Sequence, residues 1–218
     1  MLYRVIKRIF DILAAMLATI VFLIPWAVIA IIIKIQSPGP AIYKAQRVGK
    51  DGKLFTLYKF RSMRVDSGAI HSTTLRGDPR IFPFGEFIRK TKLDETPQLI
   101  NILKGEMSVI GPRPEDKDNA DEIYVGKYKD ILSAMPGLSS PASLYDYTHG
   151  ETYESEELYE KEFLPKKLDV ELYYVQHKSL WYDFKTIIKT VVTILQIAFG
   201  KEKFEEPKEL QIINDLKL

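Results

Sequence analysis

ILAAMLATIVFLIPWAVIAIII, residues 12–33, carries no charged side chain, and only Thr19 and Pro25 interrupt its apolar run. A stretch this long meets the ~20 apolar residues that a helix needs to cross the hydrocarbon core of a bilayer. It exceeds the ~7–15 apolar residues of a secretory signal, and the KIQSPGP that follows offers no small-residue cleavage site, so the segment is expected to be retained. Basic residues flank it on both sides: Arg4, Lys7 and Arg8 before, Lys34, Lys44, Arg47, Lys50 and Lys53 after. Basic flanks are held on the cytoplasmic side, so a straight span would leave one of them on the wrong face. Pro25 lies mid-segment, where it removes one helical hydrogen bond and crowds the carbonyl a turn earlier, which favours a bend. The reading is a re-entrant helix-break-helix over residues 1–36 that enters and leaves through one face. An ordinary kinked spanning helix is the alternative.

Outward from this segment, the 218-residue chain has room for one catalytic unit, taken as residues 37–199, and a charged tail, 200–218. Lys plus Arg number 31 against 29 Asp plus Glu, which excludes the strong basic excess of a dedicated nucleic-acid binder. Cysteine is absent, which removes disulfides and thiolate metal sites. AIYKAQRVG (41–49) and KLFTLYKFRSM (53–63) alternate apolar and polar residues around Asp51-Gly52 and predict a β-hairpin. Its cations Arg47, Lys59, Arg61 and Arg64 read more readily as a solvated face than as a phosphate site. Residues 67–84 are loop-like, with Asp78-Pro79-Arg80 as a corner. His71 is isolated within them, and neither His149 nor His177 lies at metal-ligand spacing from it.

The most informative soluble stretch is KTKLDETPQL, residues 90–99, where Asp94 and Glu95 stand side by side just before Pro97. Locally this reads as a helix start: Asp94 or Thr96 caps PQLINILK, and the helix stops at Gly105. Further on, Pro112 and Pro114 restrict Arg113 to extended backbone, which holds one guanidinium in a defined direction. Residues 115–179 read as helices separated by Pro and Gly breaks. In LWYDFKTIIKTVVTILQIAFG, 180–200, the residues Trp181, Phe184, Ile187, Ile188, Val191, Leu195 and Ala198 share one helical face. That face fits a headgroup-level helix and a core helix equally well. The expected class is α+β and mostly helical: an N-terminal re-entrant membrane helix, a small β-hairpin, catalytic helices and interfacial amphipathic helices. No internal repeat and no Walker or Rossmann phosphate loop occurs.

Four stretches together, KRIFDILAA with the later Pro25, LYKFRSM (57–63), DPRI with GEFIRKTKLDETPQLINILKGEMSVIGPRP (78–114) and SLWYDFKTIIKT (179–190), resemble the bacterial sugar transferase family. More narrowly they are similar to the small monotopic phosphoglycosyl transferases, over about residues 3–195. That resemblance implies Mg²⁺-dependent transfer of a sugar-1-phosphate from a UDP-sugar to polyprenyl (undecaprenyl) phosphate at the cytoplasmic leaflet of the bacterial inner membrane. The family's Asp-Glu dyad falls on Asp94 and Glu95, as nucleophile and as metal ligand or electrostatic partner, with both carboxylates near the metal. Its phosphate-handling positions fall on Lys59, Arg61, Arg89, Pro112, Arg113 and Asp183, and its membrane-break proline on Pro25. The implied chemistry is attack by Asp94 on the phosphorus nearest the sugar, loss of UMP and an aspartyl-phosphosugar intermediate.

Expected partners are the donor, the lipid acceptor and the membrane, with a homodimer left open and no nucleic acid. Two departures stand out. Thr96 replaces a commonly apolar residue, a change not expected to disturb chemistry. MPGLSS (135–140) replaces the usual RPGITG form, which leaves the donor sugar undefined. Glycoside hydrolysis is a weaker reading, because neighbouring carboxylates rarely flank a bond at roughly 5–9 Å. A non-catalytic scaffold of polysaccharide assembly is the alternative outside enzymes.

Overall fold

The computed structural model describes residues 2–65, 78–153 and 155–216. His71 lies outside the described residues. Helix α1 runs from Leu2 to Gln36 as one helix with Pro25 inside it, so the expected helix-break-helix is a single helix that lacks only the bond a proline cannot donate. At about 1.5 Å per residue it could reach about 52 Å. One face is fixed to the rest of the protein. Ala15 joins Phe55, Leu57, Leu99, Ile102 and Met107 in one buried cluster, and Ile29 and Ile33 join Ala41, Phe60, Phe82 and Ile88 in a second. Trp26 packs on both. The remaining faces leave Leu13, Leu17, Ile20, Val21, Ile24, Val28 and Ile31 more than half exposed or close to it.

Strands β1 (Ile42–Val48) and β2 (Leu54–Phe60) form the expected antiparallel hairpin, with Ile42 opposite Phe60 and Val48 opposite Leu54. The turn between them needs left-handed backbone at Asp51 (φ 56°) and Gly52 (φ 76°), which suits the Asp-Gly pair. Helix α2 (Pro83–Lys90) follows, then a 3₁₀ turn over Leu93–Gln98 and the short α3 (Leu99–Lys104). Gly105 ends α3 at φ 85°. Strands β3 (Ser108–Ile110) and β4 (Gly137–Ser139) pair in parallel, a second two-stranded sheet not foreseen from sequence. The backbones touch just beyond β3. A Cβ on Gly111 would lie 2.1 Å from the Met135 carbonyl oxygen, so only glycine lets residues 111–113 lie against Pro136-Gly137.

The remaining helices are α4 (Lys117–Ile123), α5 (Pro141–His149), α6 (Glu156–Leu158), which runs through a π turn at Tyr159–Phe163 into α7 (Leu164–His177), then α8 (Leu180–Ala198) and α9 (Lys208–Leu216). The expected C-terminal tail contains α9, which folds back on the body. Leu210 is buried beside Phe163 and Tyr145, and Tyr182 donates to Glu209 at 2.7 Å.

Helix α8 buries its polar side and leaves most of its apolar stripe outward. Asp183, Thr186 and Thr193 face inward, whereas Trp181, Phe184, Ile188, Val191 and Leu195 are half or more exposed. Thr186 and Thr190 donate to carbonyls one turn back, and Thr190 meets Ser139 at 2.8 Å. Ile187 is the exception on the apolar stripe and packs inward near Tyr174 and Val175.

Candidate active site

Asp94 and Glu95 lie inside the 3₁₀ turn, not ahead of a helix starting at Pro97 as the local pattern suggested. Lys92, at φ 57°, reverses the chain after α2, and the amide of Glu95 donates to its carbonyl at 3.3 Å. Neither Asp94 nor Thr96 caps α3. The Thr96 hydroxyl donates back to the Leu93 carbonyl at 2.7 Å and accepts the indole N–H of Trp26 at 2.8 Å. The turn is held from behind by Asn101. Its side chain bonds the Thr56 carbonyl at 2.7 Å and the Tyr58 amide at 3.2 Å, which locks α3 to β2.

Both dyad carboxylates are buried, Asp94 at 4% and Glu95 at 8% exposure. Their surroundings differ. Glu95 faces the Arg113 fork at 3.0 and 3.5 Å, with the Lys92 ammonium at 4.0 Å. Burial pushes its carboxyl up, but Arg113, Lys92 and Lys59 together outweigh that and hold it down at about 2. Asp94 has one oxygen, Oδ1, that is fully buried and has no hydrogen-bond partner. Burial and then the neighbouring Glu95 charge push its carboxyl up to about 6, against the opposing pull of Lys92, Lys59 and Arg89. A buried acceptor without a donor is costly unless something fills it.

The predicted cations divide sharply. Lys59 on β2, Arg89 at the end of α2 and Arg113 surround the dyad; all three act on the local charge balance, and burial lowers the Lys59 pKa. Arg89 also donates to Ser62 at 3.4 Å. Arg61 goes elsewhere. Its guanidinium is 6% exposed and donates to the Pro40 carbonyl at 2.7 Å, the Ser37 hydroxyl at 2.7 Å and the Ser37 carbonyl, so it clamps the end of α1. Arg47 pairs with Asp116 at 2.9 Å. Pro112 is buried and its carbonyl takes the Gly137 amide at 2.8 Å, which sets the direction of the Arg113 segment. Asp183 accepts from Tyr3 at 2.9 Å and Tyr174 at 2.7 Å and pairs with Lys7 at 3.0 Å, none of them in the dyad cluster. Pro25 stands one residue before Trp26, whose indole reaches the dyad turn.

Residues 2–197 match the sequence profile of the bacterial sugar transferases. The chain belongs to that family. It is 39% identical over 206 residues to UDP-N-acetylgalactosamine-undecaprenyl-phosphate N-acetylgalactosaminephosphotransferase of Aeromonas hydrophila, an alignment covering 91% of this chain and 45% of the relative. It is 35% identical over 195 residues to the UDP-glucose:undecaprenyl-phosphate glucose-1-phosphate transferase of Escherichia coli, covering 86% and 40%. A protein of the same description from Caulobacter vibrioides is 34% identical over 194 residues, covering 87% and 69%. The chain thus spans less than half the length of the Aeromonas and Escherichia relatives.

Within this member of the family a second buried network stands behind Arg113, and sequence reasoning missed it. The Arg113 amide donates to Glu171 at 2.8 Å; Lys167, one turn back on α7, lies 3.1 Å from Asp146 and 3.5 Å from Glu115. Burial pushes Glu171 up to about 7, with Lys167 and the Arg113 amide opposing. The available signal was the spacing of Lys167, Glu171 and Tyr174 along α7, polar residues on one stripe that all turn out to be buried.

Mg²⁺ fits this donor set. The orphaned Asp94 oxygen is a free hard-oxygen ligand, and Mg²⁺ is commonly held by one or two carboxylates together with substrate phosphates and water. Glu95 fits less well as a ligand, since Arg113 engages both its oxygens.

Proposed function

We propose that this chain transfers a sugar-1-phosphate from a UDP-sugar to polyprenyl phosphate through a covalent intermediate on Asp94. The observation that carries this is the asymmetry of the dyad: one buried carboxylate ion-paired, its neighbour with a partnerless oxygen, and four cations around them, Lys59, Arg89, Lys92 and Arg113. The named relatives use UDP-N-acetylgalactosamine or UDP-glucose with undecaprenyl phosphate, which supports the substrate classes and leaves the sugar open.

In the first half-reaction an oxygen of ionised Asp94 attacks the phosphorus bonded to the sugar. An oxygen–phosphorus bond forms, the phosphoanhydride bond breaks, and UMP leaves with the bonding pair. In the second, an oxygen of polyprenyl phosphate attacks the same phosphorus, and the Asp94 carboxylate departs. Each step brings an anion to an anion, so neutralising repulsion is the main task. Lys59, Arg89 and Arg113 meet the phosphoryl oxygens from three elements in a poorly hydrated site, where each charge counts for more than in water. Glu95 holds the Arg113 fork in place and keeps its own charge. Bound Mg²⁺ would add two positive charges to the diphosphate and stabilise the leaving group.

The same reading puts the protein on the cytoplasmic face with α1 re-entrant. Both ends of α1 are tied to one body: Tyr3 and Lys7 to Asp183, Ser37 and Gln36 to Arg61 and the Phe84 amide. That is hard to reconcile with ends on opposite sides of a bilayer. The outward apolar face of α8 supports an interfacial helix, with Lys185 folded over Trp181 at 5.1 Å.

The chemistry is tested by mixing purified protein with Mg²⁺ and a panel of UDP-sugars without lipid acceptor. UMP release and a sugar-phosphate mass on Asp94 are expected, and no adduct with any donor would refute the two-step route. For topology, Leu2→Cys and Pro38→Cys in this cysteine-free chain should label from the same membrane face; labelling from opposite faces would exclude the re-entrant form.

A further inference from the structure

A cavity of about 150 Å³ opens at the amino-terminal end of α1, bounded by the β1–β2 turn, β3 and the end of α7. Its lining carries the cations Arg4, Lys7, Arg8, Lys50 and Lys178 against one acid, Asp11. Lys7 and Arg8 are engaged. Lys7 pairs with Asp183 at 3.0 Å, and Arg8 donates to the Ile102 and Leu103 carbonyls at 2.6 and 3.0 Å. Asp11 is engaged too, accepting from Ser108 at 2.8 Å and the Val109 amide at 3.0 Å.

That leaves Arg4, Lys50 and Lys178 on one cavity with no direct ion pair to a buried acid, the buried Asp183 already being paired with Lys7. The nearest acid to Lys50 is Asp51 at 3.6 Å, whose side chain is 59% exposed. Burial lowers the Lys178 pKa, and Arg4 and Lys50 lower it further against the pull of Asp183. Like charges gathered in a partly dehydrated hollow repel unless an anion sits among them. This is not the dyad: Lys7 and Trp26 are about 28 Å apart along α1 at about 1.5 Å per residue. On α1 the lining residues Tyr3, Arg4, Lys7, Arg8 and Asp11 share one helical face, and exposed Leu2, Val5, Ile6 and Ile9 lie on the opposite one.

We propose that this cavity binds a phosphoryl oxyanion between Arg4, Lys50 and Lys178, of the kind that the headgroup of an anionic lipid presents. A free phosphate ion offers the same chemistry from the aqueous side. The inference stands apart from the dyad reading, and an Asp94→Asn protein should bind equally well.

The test is native mass spectrometry of the whole chain released from nanodiscs of phosphatidylglycerol or phosphatidylcholine, beside calorimetric titration of detergent-purified protein with inorganic phosphate. One retained phosphatidylglycerol per chain is expected, with phosphatidylcholine not retained. Arg4→Gln and Lys178→Gln should each weaken retention about fivefold, the effect of about one interfacial cation. Lys185→Gln, on the outward side of α8, controls for general surface attraction and should change nothing. Should Lys178→Gln fail to fold, the Arg4→Gln/Lys50→Gln pair takes its place, since Arg4 is exposed and the Lys50 side chain is 36% exposed. Saturable inorganic phosphate binding with the same variant dependence, but no lipid preference, would keep the site and assign it to a soluble anion. Retention insensitive to Arg4, Lys50 and Lys178, equal loss in Lys185→Gln, or no binding of either probe would overturn it.

Discussion

Two pairs of buried carboxylates, Asp11 with Asp183 and Asp94 with Glu95, sit against α1 and its neighbours, and they are built differently. Asp11 and Asp183 have partners for both oxygens, from Ser108, Val109, Tyr3, Tyr174 and Lys7. They fasten the amino-terminal end of α1 to β3, α7 and α8. In the dyad, Glu95 is equally well held by Arg113, but Asp94 Oδ1 is buried with nothing to accept from. A carboxylate with all its hydrogen bonds made holds structure together. One kept short of a donor is destabilised as an anion and so is ready for a new bond.

The largest expected effect breaks this comparison in two opposite directions. Asp94→Asn should lower turnover by about 10⁴-fold or more, as loss of a nucleophile does, while leaving denaturant stability unchanged or higher. Asp183→Asn should do the reverse. It removes the nearer carboxylate partner of the largely buried Lys7 ammonium, leaving only Asp11 at 3.8 Å, and should cost about 3 kcal/mol of stability, with the remaining folded enzyme still forming adduct. Urea titration and UMP release on the two variants separate the cases, and a stable, inactive Asp183→Asn would blur the distinction.

Next in size is Arg113→Lys, which retains charge but loses the two-pronged contact with Glu95. It should lower kcat by about 10²-fold, comparable with removing one transition-state donor. Steady-state kinetics with saturating donor would check this. A pH series sharpens the contrast within the dyad. Asp94 must be ionised to attack, so kcat/KM should fall about tenfold per pH unit below about 6. The stability linkage has the same midpoint and the opposite sense. With its folded pKa raised, protonated Asp94 favours the fold below its unfolded value, and that contribution is lost as pH rises through about 6. Glu95, depressed to about 2, contributes above its unfolded value and loses that only as pH falls towards 2. Asp94→Asn should therefore gain on the native protein in melting experiments above pH 6 but not at pH 4.

Much of the site could be read from the chain because it is local: Asp94, Glu95, Pro97 and the Pro-flanked Arg113 occupy short, distinctive strings, and Lys59 and Arg89 lie in neighbouring ones. What could not be read depends on long-range contact or on the sense of a face. Arg61 is identical in type to Arg89, and only the fold shows that one clamps Ser37 while the other faces the dyad. Asp183 meets Tyr3 from the far end of the chain. The apolar stripe of α8 has the same period whether it faces core or lipid, so the outward position of Trp181 and Phe184 was undetermined until the inward threonines were seen. The parallel β3–β4 pair was hidden because three-residue strands leave almost no alternation to detect.

The smallest expected effect concerns the join between α1 and the dyad turn. Thr96 was read as a departure without consequence, yet its hydroxyl accepts from Trp26 while donating to Leu93, so the dyad turn hangs on α1 through one oxygen. Thr96→Val keeps shape and removes both bonds, leaving the indole N–H without an acceptor at a half-buried position. A neutral hydrogen bond is worth about 1 kcal/mol, so a loss of about fivefold in kcat follows if the full amount bears on the placement of Asp94. Thr96→Ser keeps the oxygen and should restore the rate, and Trp26→Phe should match Thr96→Val, with no further loss when the two are combined. Additive losses in the double variant would mean that the two side chains act separately, and that α1 supports the body of the protein without steadying its nucleophile.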